Sequence, residues 1–167
     1  NWVSSQVLKD GESMGRPHPM KAERLAQMAV EENAPVIVST YNEPLITADW
    51  AAQVFERAHE KGIRCGFVSN GHATPEVIEF LRPFTDLYKV DLKCFDDDHY
   101  AQLGGKLKVV LDTITLLKEK GFWVEVVTLV IPTFNDSEEQ LRGIARFIAG
   151  LSPDINWHVT AYHTDYH

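Results

Sequence analysis

Several things are scarce in this 167-residue sequence, and each scarcity excludes a class of protein. No apolar run nears the roughly 18–20 residues that span a bilayer, so neither a transmembrane helix nor a membrane partner is expected. No basic segment leads into an apolar one at the start, so no secretory signal is visible. Cysteine is limited to Cys65 and Cys94, far apart in sequence. They form no Cys-x2-Cys pair and no disulfide framework, and read as two reduced thiols in a cytoplasmic protein. Basic residues are in deficit, with 16 Lys+Arg against 24 Asp+Glu and a formal charge of −8. Without a basic cluster, no nucleic-acid partner is expected. No Gly-x-Gly-x-x-Gly follows an apolar run, which removes a dinucleotide fingerprint. What is present is ordinary for a globular domain: 44% hydrophobic residues, enough for one core.

The apolar pattern alternates between periods. Pro19–Glu32 reads as a helix with Ala22, Leu25, Met28 and Ala29 on one face and Asn33 as its stop. Residues 35–40 form a short apolar run, a buried strand. Thr47 can cap a helix with Trp50, Ala51, Val54 and Ala58 as its stripe and Gly62 as its end. Arg64–Ser69 is a second strand, and Thr74-Pro75 opens a helix. Leu87–Lys93 is a third strand. Leu107, Val110, Leu111, Ile114 and Leu117 mark a long helix ending at Gly121. Phe122–Ile131 is the longest strand, with Phe122 and Trp123 expected in the core, as are the methionines. Ser137 and Gln140 make a capping box for a helix ending at Gly150, and Ile155–Tyr162 is the last strand. Gly11–Pro19 is the loosest stretch.

Five strands separated by helices predict an α/β protein with a parallel sheet, either doubly wound or a (β/α) barrel. Polar residues follow every strand: Tyr41-Asn42-Glu43, Ser69-Asn70, Asp91 with Lys93, Asn135-Asp136, and Tyr162-His163. Side chains supplied by all strand ends suit a barrel mouth, whereas a doubly wound sheet gathers them at one switch point. Glu43 precedes Pro44, which forces it into an extended conformation and should turn its carboxylate away from the next helix. Such a carboxylate could hold an ammonium group. Asp91 and Lys93 lie two apart on a strand and share one face, while Val90 and Leu92 share the other. Charges on an inward face must pair or meet a polar ligand. Ser69-Asn70-Gly71 offers a hydroxyl, an amide and a permissive glycine, or simply a turn. His158, His163 and His167 lie near Tyr162, Asp165 and Tyr166. A metal-dependent hydrolase built on His163, Asp165 and His167 is conceivable, but the five-residue step from His158 to His163 points them to opposite sides of a strand. His18, His59, His72 and His99 read as surface or loop residues.

Taken together, Tyr41-Asn42-Glu43-Pro44, Ser69-Asn70-Gly71, Val90-Asp91-Leu92-Lys93, Leu129-Val130-Ile131-Pro132 with Asn135-Asp136, and Ala161-Tyr162-His163 resemble, in order and spacing, the radical S-adenosylmethionine (SAM) enzymes. The chain is most similar to the branch related to pyruvate formate-lyase activating enzyme. Within it, Asn1-Trp2 through Ser5-Gln6 and Trp157-His158-Val159 resemble the AmmeMemoRadiSam-system radical SAM enzymes. The resemblance implies a partial (β/α) barrel over residues 1–167, with a sixth strand upstream.

It further implies two cofactors, SAM and a [4Fe–4S] cluster. The family's Cys-x3-Cys-x2-Cys motif would end just upstream of Asn1, so the chain is expected to be a fragment without cluster ligands, and no metal ligand is assigned to it. Glu43 matches the acidic residue facing SAM's amino group, with Asn42 beside it. Asp91 and Lys93 match the pair at the ribose and methionyl carboxylate. Ser69 and Asn70 match the ribose-side turn, Val130 the strand flanking adenine, and His163 a residue near the adenosyl group. The implied reaction is reductive SAM cleavage to a 5′-deoxyadenosyl radical that abstracts hydrogen from a substrate the sequence does not name. Flavodoxin or ferredoxin would donate the electron, with AmmeMemoRadiSam-system proteins as further partners. Two departures separate the chain from glycyl-radical activators: Val68 stands where that branch carries aspartate, and Tyr41-Asn42 replaces a glycine pair. Alternatives are a glycyl-radical-enzyme activating enzyme, or a cluster-free barrel that binds SAM or docks without catalysis.

Overall fold

The computed structural model describes residues 19–163. Its elements alternate as the apolar pattern predicts: α1 (Ala22–Glu31), β1 (Val36–Ser39), a 3-10 turn (Pro44–Thr47) running into α2 (Ala48–His59), β2 (Arg64–Ser69), α3 (Pro75–Leu81), β3 (Leu87–Asp91), α4 (Asp97–Gln102), α5 (Leu107–Glu119), β4 (Trp123–Val130), α6 (Glu138–Leu151) and β5 (Asn156–Ala161). All four strand pairings are parallel, in the order β1-β2-β3-β4-β5. Among the described residues the order follows the chain and never reverses, so they contain no switch point. This is a barrel-type (β/α) sheet and not a doubly wound one.

One sheet face carries the core. Cys65, Phe67, Tyr88, Val90, Leu92, Val124 and Val126 lie there, with Phe55, Ile78, Leu81, Val110, Ile114, Leu117 and Ile144 of the helices, all buried. Residues of opposite parity form the other face. It carries Val38, Val68, Lys89, Asp91, Trp123, Glu125, Val127 and Leu129, none of them buried. The alternation in β3 therefore runs as its sequence requires, with Val90 and Leu92 inward and Asp91 and Lys93 on the open face.

Several expectations need correction. Trp123 is 57% exposed, because its parity puts it beside Leu87 and Gly66 on the open face, where its Nε1–H donates to Glu125 at 3.3 Å. Met20 is exposed, and Trp50 stands at the rim of a groove along β1 instead of in the α2 stripe. Thr47 makes no side-chain cap, since residues 44–47 already coil and its hydroxyl turns back to the Pro44 carbonyl. The capping box is half made: Ser137 Oγ accepts from Gln140 N–H, but the Gln140 side chain leaves for Phe95 N–H and the Phe134 carbonyl. β3 ends at Asp91 and not Lys93, and α6 runs one residue past Gly150. Helix α4 has no counterpart in the apolar pattern. The motifs at residues 1–6, the stretch before Pro19, His18 and the proposed ligands Asp165 and His167 lie outside the described residues.

Candidate functional site at the strand ends

The site assembles from three successive strand ends. After β1 the chain turns through Tyr41 (φ 69°) and Asn42 (φ 51°), two non-glycine residues in the left-handed region. That conformation costs roughly 1–2 kcal/mol per residue. It delivers Glu43 in the extended state Pro44 demands (φ −112°, ψ 108°). Its carboxylate does not turn away from the following turn, as the sequence suggested. Oε1 accepts from Leu45 N–H at 3.1 Å and from Ser69 Oγ at 2.8 Å, and Oε2 accepts from Asn70 N–H at 2.8 Å. A carboxylate offers about four acceptor positions. Among the described residues three are filled, which leaves one on Oε2.

After β2 the turn is fixed by Gly71. Its φ is +79°, and a Cβ would come within 2.7 Å of Val90 Cγ1 and 2.9 Å of Val110 Cγ1. Only glycine lets the turn press onto β3 and α5. The turn is closed by Gly71 N–H to Ser69 Oγ and His72 N–H to Asn70 Oδ1. Asn70 is thereby held between Glu43 and a cleft that it shares with Lys93.

After β3, Lys93 Nζ donates to Asp91 Oδ2 at 2.5 Å, with both side chains partly exposed. The backbone here is pinned from below. Lys93 N–H donates to Tyr100 Oη, and the buried Asn135 amide donates to the Lys93 carbonyl at 2.6 Å and the Leu129 carbonyl at 2.8 Å. Asn135 Oδ1 accepts from Ile131 N–H at 2.7 Å. Asn135 thus ties the ends of β3 and β4 together. The sequence marked it only as polar.

Glu43, Asn42, Ser69, Asn70, Asp91 and Lys93 therefore cluster at the ends of β1, β2 and β3. Val130 and His163 lie at the ends of β4 and β5. By alternation Val130 shares the side of Val126 and Thr128, and its carbonyl accepts from Tyr162 N–H. His163 is exposed. His158 pairs with Glu125 on the open face at 2.9 Å. Glu125 loses solvent there, which raises its pKa, but the bonds from Trp123 and His158 and the nearby Lys89 lower it more, for a net decrease. The histidines read as loop residues are engaged: His59 with Asp86 at 2.9 Å, His72 with Lys106 N–H at 2.9 Å, and His99 stacked on Phe134.

The donor set fits SAM. A spare carboxylate oxygen can receive an ammonium, Lys93 keeps protons for a carboxylate, and Asp91 can accept from hydroxyls. It does not fit an iron–sulfur cluster. Among the described residues no three His, Cys, Asp or Glu side chains come together as metal ligands. Cys65 and Cys94 are buried on the helix side; burial, with Asp86 nearby, pushes the Cys65 thiol up to about 12, and burial raises Cys94 as well. Neither is a thiolate at neutral pH. Among the described residues no helix is long and apolar enough to cross a membrane.

Comparison with known proteins adds a family. Residues 5–148 match the Radical SAM superfamily. An uncharacterized protein of Methanocaldococcus jannaschii is 29% identical over 99% of this chain and 49% of its own length. The pyruvate formate-lyase-activating enzyme of Clostridium pasteurianum is 28% identical over 73% of this chain and 51% of its own length. The chain thus spans about half the length of these curated relatives. Among solved structures, Streptococcus suis SuiB bound to S-adenosylmethionine superposes with a TM-score of 0.72 at 16% identity, over 92% of this chain and 37% of that one. At that identity the likeness shows the fold alone.

Proposed function

The chain belongs to the radical SAM superfamily, and from that premise we propose that it is the SAM-binding barrel core of a radical SAM enzyme. When bound, the family's cofactors, SAM and a [4Fe–4S] cluster, would supply reductive one-electron cleavage of SAM's sulfonium and hydrogen abstraction from a substrate. The observation that carries the proposal is the placement of Glu43, with one acceptor position open among the described residues, and of the Asp91–Lys93 pair at the ends of β1 and β3, on either side of the Ser69-Asn70 turn that ends β2. Glu43 receives the amino group of SAM, Lys93 its carboxylate, and Asp91 with the Ser69-Asn70 turn the ribose. Val130 and His163 serve the adenosyl side. The chain's task is to orient these groups on a rigid sheet edge and shield them from water.

The cluster ligands fall outside the described residues, in an upstream Cys-x3-Cys-x2-Cys loop joined to a sixth strand. That the chain spans half of its relatives' length is consistent with this. A low-potential donor such as flavodoxin or ferredoxin and a cytoplasmic setting belong to the same proposal. The finer placement, beside AmmeMemoRadiSam-system enzymes and their partner proteins, rests on Asn1-Trp2 through Ser5-Gln6 and Trp157-His158-Val159. A second reading, activation of a glycyl-radical enzyme, is favoured by the Clostridium pasteurianum relative and disfavoured by Val68.

Calorimetry of SAM binding to the complete, cluster-reconstituted protein tests the site. Glu43→Ala and Lys93→Ala are each expected to weaken binding by about 1–3 kcal/mol, the loss of a charge-assisted hydrogen bond. Unchanged affinity in both places the cofactor elsewhere. Iron analysis giving far fewer than about four irons per chain favours a cluster-free binding barrel instead.

A further inference from the structure

Beside the SAM-binding residues lies a cleft of about 530 Å³ between the β2–α3 turn and the α4–α5 loop, bordered by Asn70, His72, Lys93, Tyr100 and Gly105. Its chemistry is one-sided. His72 Nε2 accepts from Lys106 N–H at 2.9 Å, so the ring proton is on Nδ1, which meets no acceptor among the described residues. The ring is held in place. A Cβ on Gly105 would come within 2.7 Å of it, and Tyr100 lies against it at 6.3 Å between centroids. Tyr100 is 2% exposed, and its hydroxyl accepts from Lys93 N–H. The hydroxyl proton therefore has no acceptor among the described residues. Burial above all pushes this phenol up to about 12, so it stays a neutral donor. Asn70 gives its Oδ1 to His72 N–H, which leaves its amide hydrogens free. Lys93 spends one ammonium proton on Asp91. No carboxylate borders the cleft, in a chain whose formal charge is −8.

Three donors without an acceptor partner among the described residues, on His72, Tyr100 and Asn70, select an acceptor-only ligand. We propose that this cleft seats a carboxylate or phosphate group of the enzyme's substrate, with His72 and Tyr100 as the residues that recognise it beside the SAM site. The inference rests on the radical SAM reading for the word substrate. The anion seat itself stands on the donors alone.

Equilibrium dialysis of the complete protein against labelled inorganic phosphate and labelled acetate, with and without saturating SAM, tests it. One saturable anion per chain is expected, retained when SAM is bound. His72→Gln, which keeps an acceptor for Lys106 N–H, and Tyr100→Phe, which keeps the ring packing, should each weaken the anion at least fivefold, and in His72→Gln, which leaves the ties on the Lys93 backbone intact, SAM affinity stays within twofold. Absence of saturable binding by both anions overturns the proposal, as does unchanged anion affinity in both variants. Displacement of the anion by SAM also overturns it, because the cleft would then hold the cofactor's own carboxylate. Anion binding in a protein that fails to bind SAM upholds the seat and sinks the radical SAM reading.

Discussion

Glu43 shows how a single residue can be read correctly for type and wrongly for direction. The Glu-Pro pair predicts an extended glutamate after a strand, and the backbone angles agree. The sequence could not show that donors from β2, twenty-six and twenty-seven positions away, would hold the carboxylate against the turn. Asp86 is a case with no functional signature at all. It accepts from Cys65 N–H at 2.8 Å and from His59, with Arg64 nearby. Desolvation raises its pKa, but these three partners together lower it further, so the net shift is downward. A depressed carboxylate stabilises the fold above its unfolded pKa of about 4, and that contribution fades as pH falls through the lower folded value. Asp86→Asn is therefore expected to cost about 1 kcal/mol at neutral pH, with the difference from the parent shrinking as the pH falls below about 4. Urea melts at pH 7 and pH 3 check this; an equal difference at both would show that the charge is not responsible.

At the scale of elements, the strands and long helices were legible because their periods are clean and their ends punctuated. Asn33, Gly62 and Gly121 all adopt the positive φ expected of a stop. Helix α4 was not legible. It has six residues, only Tyr100 is buried, and it is started by Asp96 accepting from His99 N–H, a local cap that no hydrophobic period announces. The donor Tyr100 was missed for that reason, whereas Gln140 was read only as half of a capping box and its bond to Phe95 N–H could not be foreseen. Asn135 was missed because a buried amide and a turn amide look alike in sequence. Asn135→Ala would orphan Ile131 N–H and two carbonyls, at a cost of about 2–3 kcal/mol, and should lower SAM affinity because the Lys93 backbone loses its tie. A melt shifted with SAM affinity intact would confine Asn135 to a structural role. Gly71→Ala adds a strained φ to two close contacts with valines. It should destabilise the protein by more than about 1 kcal/mol, read as a lower denaturation midpoint.

Over the whole molecule, the sheet has one face sealed by helices and one open, and its outer strand β5 differs in exposure from its centre. All but one residue of β5 is exposed, whereas β3 lies at the centre with Tyr88 and Val90 fully buried. Amide hydrogen exchange should rank β3 and β4 slowest and β5 among the fastest strands; equal protection across the sheet would mean that it opens only as a unit. The parallel topology was legible from the alternation of elements, and the choice of a barrel-type sheet from polar residues at every strand end. The open face was not, because Trp123 and Leu129 look like core residues until their register is known. The strand order has one more consequence. Among the described residues every strand pairs only with its predecessor and successor in the chain, so none of these pairings waits for a distant segment. Loop-closure entropy is met in small, separate instalments. A polypeptide emerging from the ribosome can lay down one strand-and-helix unit on the last, and the site at the strand ends is then completed in the order in which its residues are translated: Glu43 first, the Ser69-Asn70 turn next, Asp91 and Lys93 after it.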